Sequence, residues 1–241
     1  MKKVHISFGD EKYYGSLKVL EKSSLKNGSD IFKRYTREWL MSTPFWKENI
    51  GILSQPRGAG YWIWKPFIIL DAFKELEEGD IVLYTDAAMF AINDLTPLFQ
   101  LAEKNSIIVF RIGGGHINKI WTKRDCFILM NADTPEYHNE SQLTASYSLW
   151  RKNAQTIEFL EEYQKYLKDP RIVTDIPSSL GKNYPEFKDH RHDQSVISIL
   201  SQKNKIERFR DPSQFGLPEI SQFTNSPYNQ IFNHHRMKLF G

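Results

Sequence analysis

The 241-residue sequence has one cysteine, Cys126. An internal disulfide is therefore excluded, and a buried, inert thiol is expected inside the apolar run that holds it. No uninterrupted apolar stretch approaches the roughly 18 residues that cross a bilayer. The start, Met1–Lys2–Lys3–Val4–His5–Ile6–Ser7–Phe8–Gly9–Asp10, turns polar too soon for a secretory signal. These absences point to a cytoplasmic protein with no transmembrane segment and leave peripheral membrane contact open. Charge of one sign is also scarce. Thirty-two Lys and Arg stand against 29 Asp and Glu, a net charge of +3. That balance is too weak and too dispersed for a nucleic-acid partner, but it suits an anionic small ligand such as a nucleotide diphosphate. The familiar catalytic signatures are missing: no G-x-G-x-x-G, P-loop, G-x-S-x-G elbow, H-E-x-x-H, Cys/His zinc spacing or kinase set. Neither internal repeats nor low-complexity tracts occur.

What the chain does have is apolar and aromatic residues, 40% and 14% of the total. That is enough for a core and leaves flat surface for stacking on sugars or bases. Strand and helix patterns alternate, so the fold class is α/β with a mostly parallel sheet. Strands are expected at 4–8, 31–35, 81–84, 107–112, 126–130, 142–151 and 206–209. Helices are expected at 11–25, 66–77, 95–104, 153–168 and from about Asp193. Residues 37–53 read as helical or irregular, with a break at Pro44, and Gly58 and Gly60 read as a flexible loop.

The run from Gly79 to Met89 organises the rest. Ile81–Val82–Leu83–Tyr84 has the look of a strand buried on both faces. Asp86 follows it, where open α/β sheets bind ligands, with Ala87 and Ala88 leaving room. A turn cap explains Asp86 taken alone. Upstream, Arg57, Gly58, Gly60, Tyr61, Trp62, Trp64 and Lys65 lead into a helix with Pro66 in its first turn. This start either favours an anion such as a phosphate or holds core aromatics and a solvated lysine. Downstream, Asp189–His190–Arg191–His192–Asp193–Gln194–Ser195 is the densest polar cluster. Asp193 suits a helix first turn, which leaves the two histidines, the arginine and Gln194 unexplained.

Four runs together carry a resemblance: Tyr61–Trp62–Ile63–Trp64–Lys65–Pro66, Gly79–Asp80 through Tyr84–Thr85–Asp86–Ala87, Thr122–Lys123–Arg124–Asp125, and His190–Arg191–His192–Asp193–Gln194–Ser195. In this order they resemble a group of bacterial and viral glycosyltransferases with the GT-A nucleotide-sugar fold. The resemblance implies one GT-A-like (Rossmann-like nucleotide-diphospho-sugar transferase) domain over residues 1–241, its central sheet flanked by helices. Residues 211–241 would be a tail closing over the site. It implies sugar transfer from a nucleotide-diphosphate donor to a hydroxyl of a glycan or lipid-linked acceptor, in cell-surface polysaccharide or lipopolysaccharide assembly. In such folds a D-x-D motif holds a divalent cation, Mn2+ or Mg2+. Here Tyr84 and Ala88 flank a single Asp86, with His235 or His234 as the second metal ligand. Whatever the family, the departing diphosphate needs positive charge, and Lys65 comes first as its source, then Arg57, Lys123 and Arg124. Asp193 is the candidate base, followed by His190 and His192. Trp64, Tyr61 and Gln194 complete the substrate-binding set. A non-catalytic carbohydrate-binding relative is the alternative, encouraged by the missing second Asp.

Overall fold

The computed structural model describes residues 1–235. In chain order the elements are β1 (Lys3–Gly9), α1 (Tyr14–Lys26), β2 (Ile31–Thr36), α2 (Trp64–Phe73), β3 (Ile81–Thr85), β4 (Met89–Ala91), α3 (Thr96–Asn105), β5 (Ile107–Arg111), α4 (Arg124–Leu129), β6 (Leu143–Arg151), α5 (Ala154–Leu167), α6 (Asp193–Lys203), β7 (Arg208–Phe209) and β8 (Phe232–His234). Single-turn helices fill much of the chain between β2 and α2. Pro44 opens one of them, at Pro44–Glu48, rather than breaking a longer one.

Six strands form one sheet in the order β2-β1-β3-β6-β5-β7. The β1–β2, β1–β3 and β5–β7 ladders are parallel, and only β6 runs against its neighbours. The sheet is therefore mostly parallel, as expected. Each strand residue faces one side in turn, which is why β3 reads as a continuous apolar run. Val82 and Tyr84 join a core beneath α2, α5 and α6, whereas Ile81 and Leu83 join a second core beneath α1 and α3. The small antiparallel pair β4–β8 lies apart from the main sheet. No helix among the described residues is long and apolar enough to cross a membrane.

Two expectations are corrected. The run Cys126–Met130 lies largely in helix α4 and not in a strand. Five apolar residues are too few for periodicity to separate the two. The Gly58–Gly60 segment is not a loose loop but a packed turn. Gly58, Ala59, Gly60, Tyr61 and Trp62 all have positive φ, and a Cβ on Gly60 would stand 2.5 Å from the Leu53 Cα. We expect Gly60→Ala to lower stability by about 2–4 kcal/mol, combining left-handed backbone strain with overpacking. Urea unfolding measures it, and a change within ~0.5 kcal/mol, typical of neutral surface positions, would contradict the turn as described.

The site is positioned by how β3 ends. Ser7 Oγ on β1 donates to the Thr85 carbonyl at 2.7 Å. His5 is fully buried between Ser24 Oγ (2.6 Å) and Thr85 Oγ1 (2.8 Å), and burial pushes its pKa down to about 3, so the ring is neutral. With Thr85 fixed from the neighbouring strand, Asp86 leaves the sheet at a defined point. Its N–H donates to the Ser146 carbonyl at 2.8 Å.

Candidate active site

Asp86 is the exposed end of a buried charge network. Its Oδ1 accepts a 2.5 Å hydrogen bond from the Tyr84 hydroxyl and lies 3.4 Å from Lys65 Nζ. The Asp86 side chain is 36% exposed, whereas those of Lys65 and Asp193 are 6% and 5% exposed. Lys65 is thus neither a solvated charge nor an open phosphate ligand. From the first turn of α2 its ammonium reaches inward, donates to the Ala145 carbonyl at 2.8 Å and pairs with Asp193 Oδ2 at 2.8 Å. Burial works to lower the Lys65 pKa, but Asp193 and Asp86 together overcome it and hold the ammonium charged. Burial pushes Asp193 up to about 6, against the pull of Lys65. The lysine therefore ties the acid at the end of β3 to the acid that opens α6.

The remaining residues of the His-Arg-His-Asp run do something else. His190 receives the Lys123 N–H on Nδ1 (3.3 Å) and donates from Nε2 to the Ile172 carbonyl (2.8 Å). His192 donates from Nδ1 to the Val173 carbonyl (2.8 Å) and stacks on Trp62. Burial lowers both pKa values, so the two rings are neutral and bind the segment 172–173 to the start of α6. Lys123 is buried with its Nζ on the Thr174 and Ile176 carbonyls. Arg124 is bidentate to Asp133. Arg57 pairs with Asp175 and Asp189, and the Tyr61 hydroxyl donates to Asp175. These six residues hold loops together, and none of them lines either cavity described next.

Two cavities meet at Asp86. The smaller, of about 390 Å³, lies beyond the ends of β1 and β3 and includes Phe8, Asp10, Lys12, Trp62 and Trp64 in its wall. Trp64 is held by stacking on Phe8 at 4.0 Å and by a 3.1 Å bond from Nε1 to the Gly58 carbonyl. The larger, of about 820 Å³, runs under the segment after β7 and includes Gln194, Asp211, Phe215, Glu219 and His234. Tyr13, Asp86 and Ala88 belong to both walls. Gln194 is thus brought to the site and is oriented by a 2.7 Å bond from Nε2 to Gln142 Oε1. Asp193 is not in either wall and meets the site through Lys65.

A divalent cation is tested by the donor set. Among the described residues no group of three or more His, Cys, Asp or Glu side chains could hold one. Asp86 Oδ1 is already engaged by Tyr84 and Lys65, which leaves Oδ2 as the oxygen to offer. His235 is tied by its backbone, its N–H donating to the Ala88 carbonyl at 3.2 Å. These residues do not make a resident metal centre. They fit an ion that arrives with a diphosphate, because the two walls carry four carboxylates, Asp10, Asp86, Asp211 and Glu219, against one lysine, Lys12. Asp10, Tyr13, Asp211, Phe215 and Glu219 stand in the walls and carry no motif that marks them as site residues. Asp10 stands between the strand expected at 4–8 and the helix expected at 11–25, and the others lie in segments whose composition is that of ordinary loops and helix starts.

No family model and no curated protein sequence matches this chain. Its fold matches solved glycosyltransferases. Mouse xyloside xylosyltransferase 1 in its apo form superposes with a TM-score of 0.51 at 9% identity, over 98% of both chains. A glycosyltransferase involved in the glycosylation of the major capsid of PBCV-1 gives 0.50 at 12%, over 98% of this chain and 93% of that one. The WbbM bifunctional glycosyltransferase, also apo, gives 0.52 at 12%, over 98% of this chain and 45% of that one, so the chain spans under half of WbbM. At these identities the likeness shows a GT-A-like fold.

Proposed function

We propose that this GT-A-like chain is a glycosyltransferase that moves a sugar from a nucleotide-diphosphate donor to an acceptor hydroxyl. The observation that carries the reading is that two separate cavities share one carboxylate, Asp86. A transfer needs two substrates whose reacting atoms meet at one point, and holding them there supplies much of the rate. The smaller cavity takes the donor. It sits beyond the carboxyl ends of β1 and β3, where the strand order reverses from β1–β2 on one side to β1–β3 on the other. That reversal is where open α/β sheets bind nucleotides. Trp62 offers a ring for stacking, while Trp64 is buried against Phe8 at the back of the wall. The acceptor fills the larger cavity.

In the reaction the bond from the anomeric carbon to the diphosphate breaks, and its electron pair leaves on the diphosphate. The acceptor oxygen supplies the pair for the new bond, and its proton passes to an oxygen of the departing diphosphate or to water. A divalent cation bound with the donor would neutralise the leaving diphosphate, with Asp86 Oδ2 as its protein ligand. Lys65 and Tyr84 fix the Asp86 carboxylate from behind, and Asp193 fixes Lys65. The three are positioning residues. The finer setting, surface polysaccharide or lipopolysaccharide assembly, is supported by the motif resemblance alone.

A thermal-shift screen tests the reading. Nucleotide sugars with Mn2+ should raise the melting temperature for the right donor. Saturation at a hundred times Kd stabilises by about 2.7 kcal/mol, or about 5–10 °C for a chain of this size. Manganese alone should move it little, since no cluster of three or more metal-ligating side chains occurs among the described residues. The same screen followed by product detection separates a transferase from a non-catalytic carbohydrate binder. No shift with any nucleotide sugar, in either arm, removes the donor assignment.

A further inference from the structure

We propose that the larger cavity selects a neutral, hydroxyl-rich saccharide and turns away acceptors carrying a carboxylate or phosphate beside the reacting sugar. This rests on the reading that the larger cavity belongs to the acceptor, and it narrows what that acceptor is. The chemistry of the wall supports it. Asp86, Asp211 and Glu219 are all present, and among the described residues the wall holds no lysine or arginine. Its only basic side chains are the imidazoles of His116 and His234. An anion placed there would face Asp211 and Glu219 together with Asp86, whose neighbouring Lys65 is already shared with Asp193, an arrangement that disfavours a further negative charge across a desolvated interface.

Sugar hydroxyls suit the same wall well. Glu219 Oε2 is buried with no hydrogen-bond partner, and a carboxylate oxygen in that state accepts from any hydroxyl that reaches it. Gln194, Thr144 and Ser146 add amide and hydroxyl partners. Phe215 is 49% exposed and supplies an apolar face at the wall, as sugar rings require. Its place is set by a clasp. Gln214 Nε2 donates to the His234 carbonyl at 3.1 Å, and the His234 N–H donates to Gln214 Oε1 at 3.0 Å. At about 820 Å³ the cavity lies within the range of sites that enclose whole small molecules. It has room for more than the single sugar that is modified.

The test is direct binding by the full chain, read by calorimetry with the nucleoside diphosphate and Mn2+ present. Matched pairs of oligosaccharides are used, each neutral glycan beside its uronate-containing or phosphorylated counterpart. Every pair showing binding should favour the neutral member by at least about tenfold. Phe215→Ala should weaken neutral binding about tenfold or more. Glu219→Lys should narrow or reverse the preference. Equal or tighter binding of the anionic members to the unmodified protein overturns the proposal, as does binding that ignores both substitutions. So does a failure of every glycan to bind while the nucleotide sugar still shifts the melting temperature. Failure of the nucleotide sugar itself strikes instead at the transferase reading.

Discussion

Replacing Lys65 with methionine should cost about 3–5 kcal/mol of stability near pH 8, the usual consequence of stripping one partner from a buried ion pair. The reason is local. Asp193 has a 5% exposed side chain, and its counter-charge is the ammonium 2.8 Å away. Methionine keeps the volume of the stem, so the loss measures charge and not a cavity. The sign of the pH dependence follows from the acid. In the native protein burial already holds the Asp193 pKa at about 6, above its unfolded value of 3.8. The folded state therefore binds the extra proton between about pH 4 and 6, and the contribution of this group to stability falls as pH rises through that window. Without Lys65 the penalty for ionising Asp193 grows, so the variant should be closest to wild type at pH 5 and furthest from it at pH 8. Adding Asp193→Asn should restore much of the loss, since the orphaned charge is then gone. Urea unfolding of the two single variants and the double variant at both pH values measures all of this. An equal loss at pH 5 and pH 8 would mean that packing, and not the ion pair, accounts for Lys65.

Asp86→Asn should leave the fold intact and lower kcat by about 10²–10³, the usual cost of losing one preorganised electrostatic group at a reacting centre. Asp86 is the part of the network that faces both cavities, and asparagine preserves its size. The amide can still accept from Tyr84, but it no longer ligates a cation with a full charge. The signature should be metal-linked: the variant needs more Mn2+ for half-maximal rate, and its donor-induced thermal shift becomes smaller in the presence of Mn2+. Initial rates across a manganese series, with unfolding as the control, decide it. Wild-type kcat in the variant would move the reacting centre elsewhere.

The parts of this molecule that were legible in the sequence are those where one physical rule dominates. β3 is covered on both faces, so its apolar run is continuous and Asp86 stands out as the first charge after it. α5 lies on the core with one stripe, and its periodicity shows it, whereas α6 is buried almost all round and shows itself by the apolar residues behind Asp193. The misreadings share a cause: backbone groups have no letter in a sequence. His190, His192 and Lys123 resemble site residues because they cluster near Asp193, yet their partners are the carbonyls of Ile172, Val173, Thr174 and Ile176. Arg57 and Arg124 look like phosphate ligands, but Arg57 is held by Asp175 and Asp189 from distant loops and Arg124 by Asp133, just beyond its own helix. The glycines at 58 and 60 suggested mobility, whereas their positive φ values serve a tight approach to Leu53 and Trp62. The wall residues Phe215 and Glu219 lie in a 3-10 helix, Gln214–Gln222, and Asp211 just before it; so short and Pro-containing a stretch has no apolar periodicity to read.

The pairing of β4 with β8 has a consequence for biosynthesis. β8 adds its three residues beside the strand that begins three positions after Asp86, and Tyr228, Ile231 and Phe232 pack into the core beneath it. Domains are built on the ribosome from the amino end, so a nascent chain can assemble the whole six-stranded sheet while the residues flanking Asp86 still lack their outer partner. Competence for substrate would then follow the docking of residues 232–234 on β4 and not the closing of the six-stranded sheet.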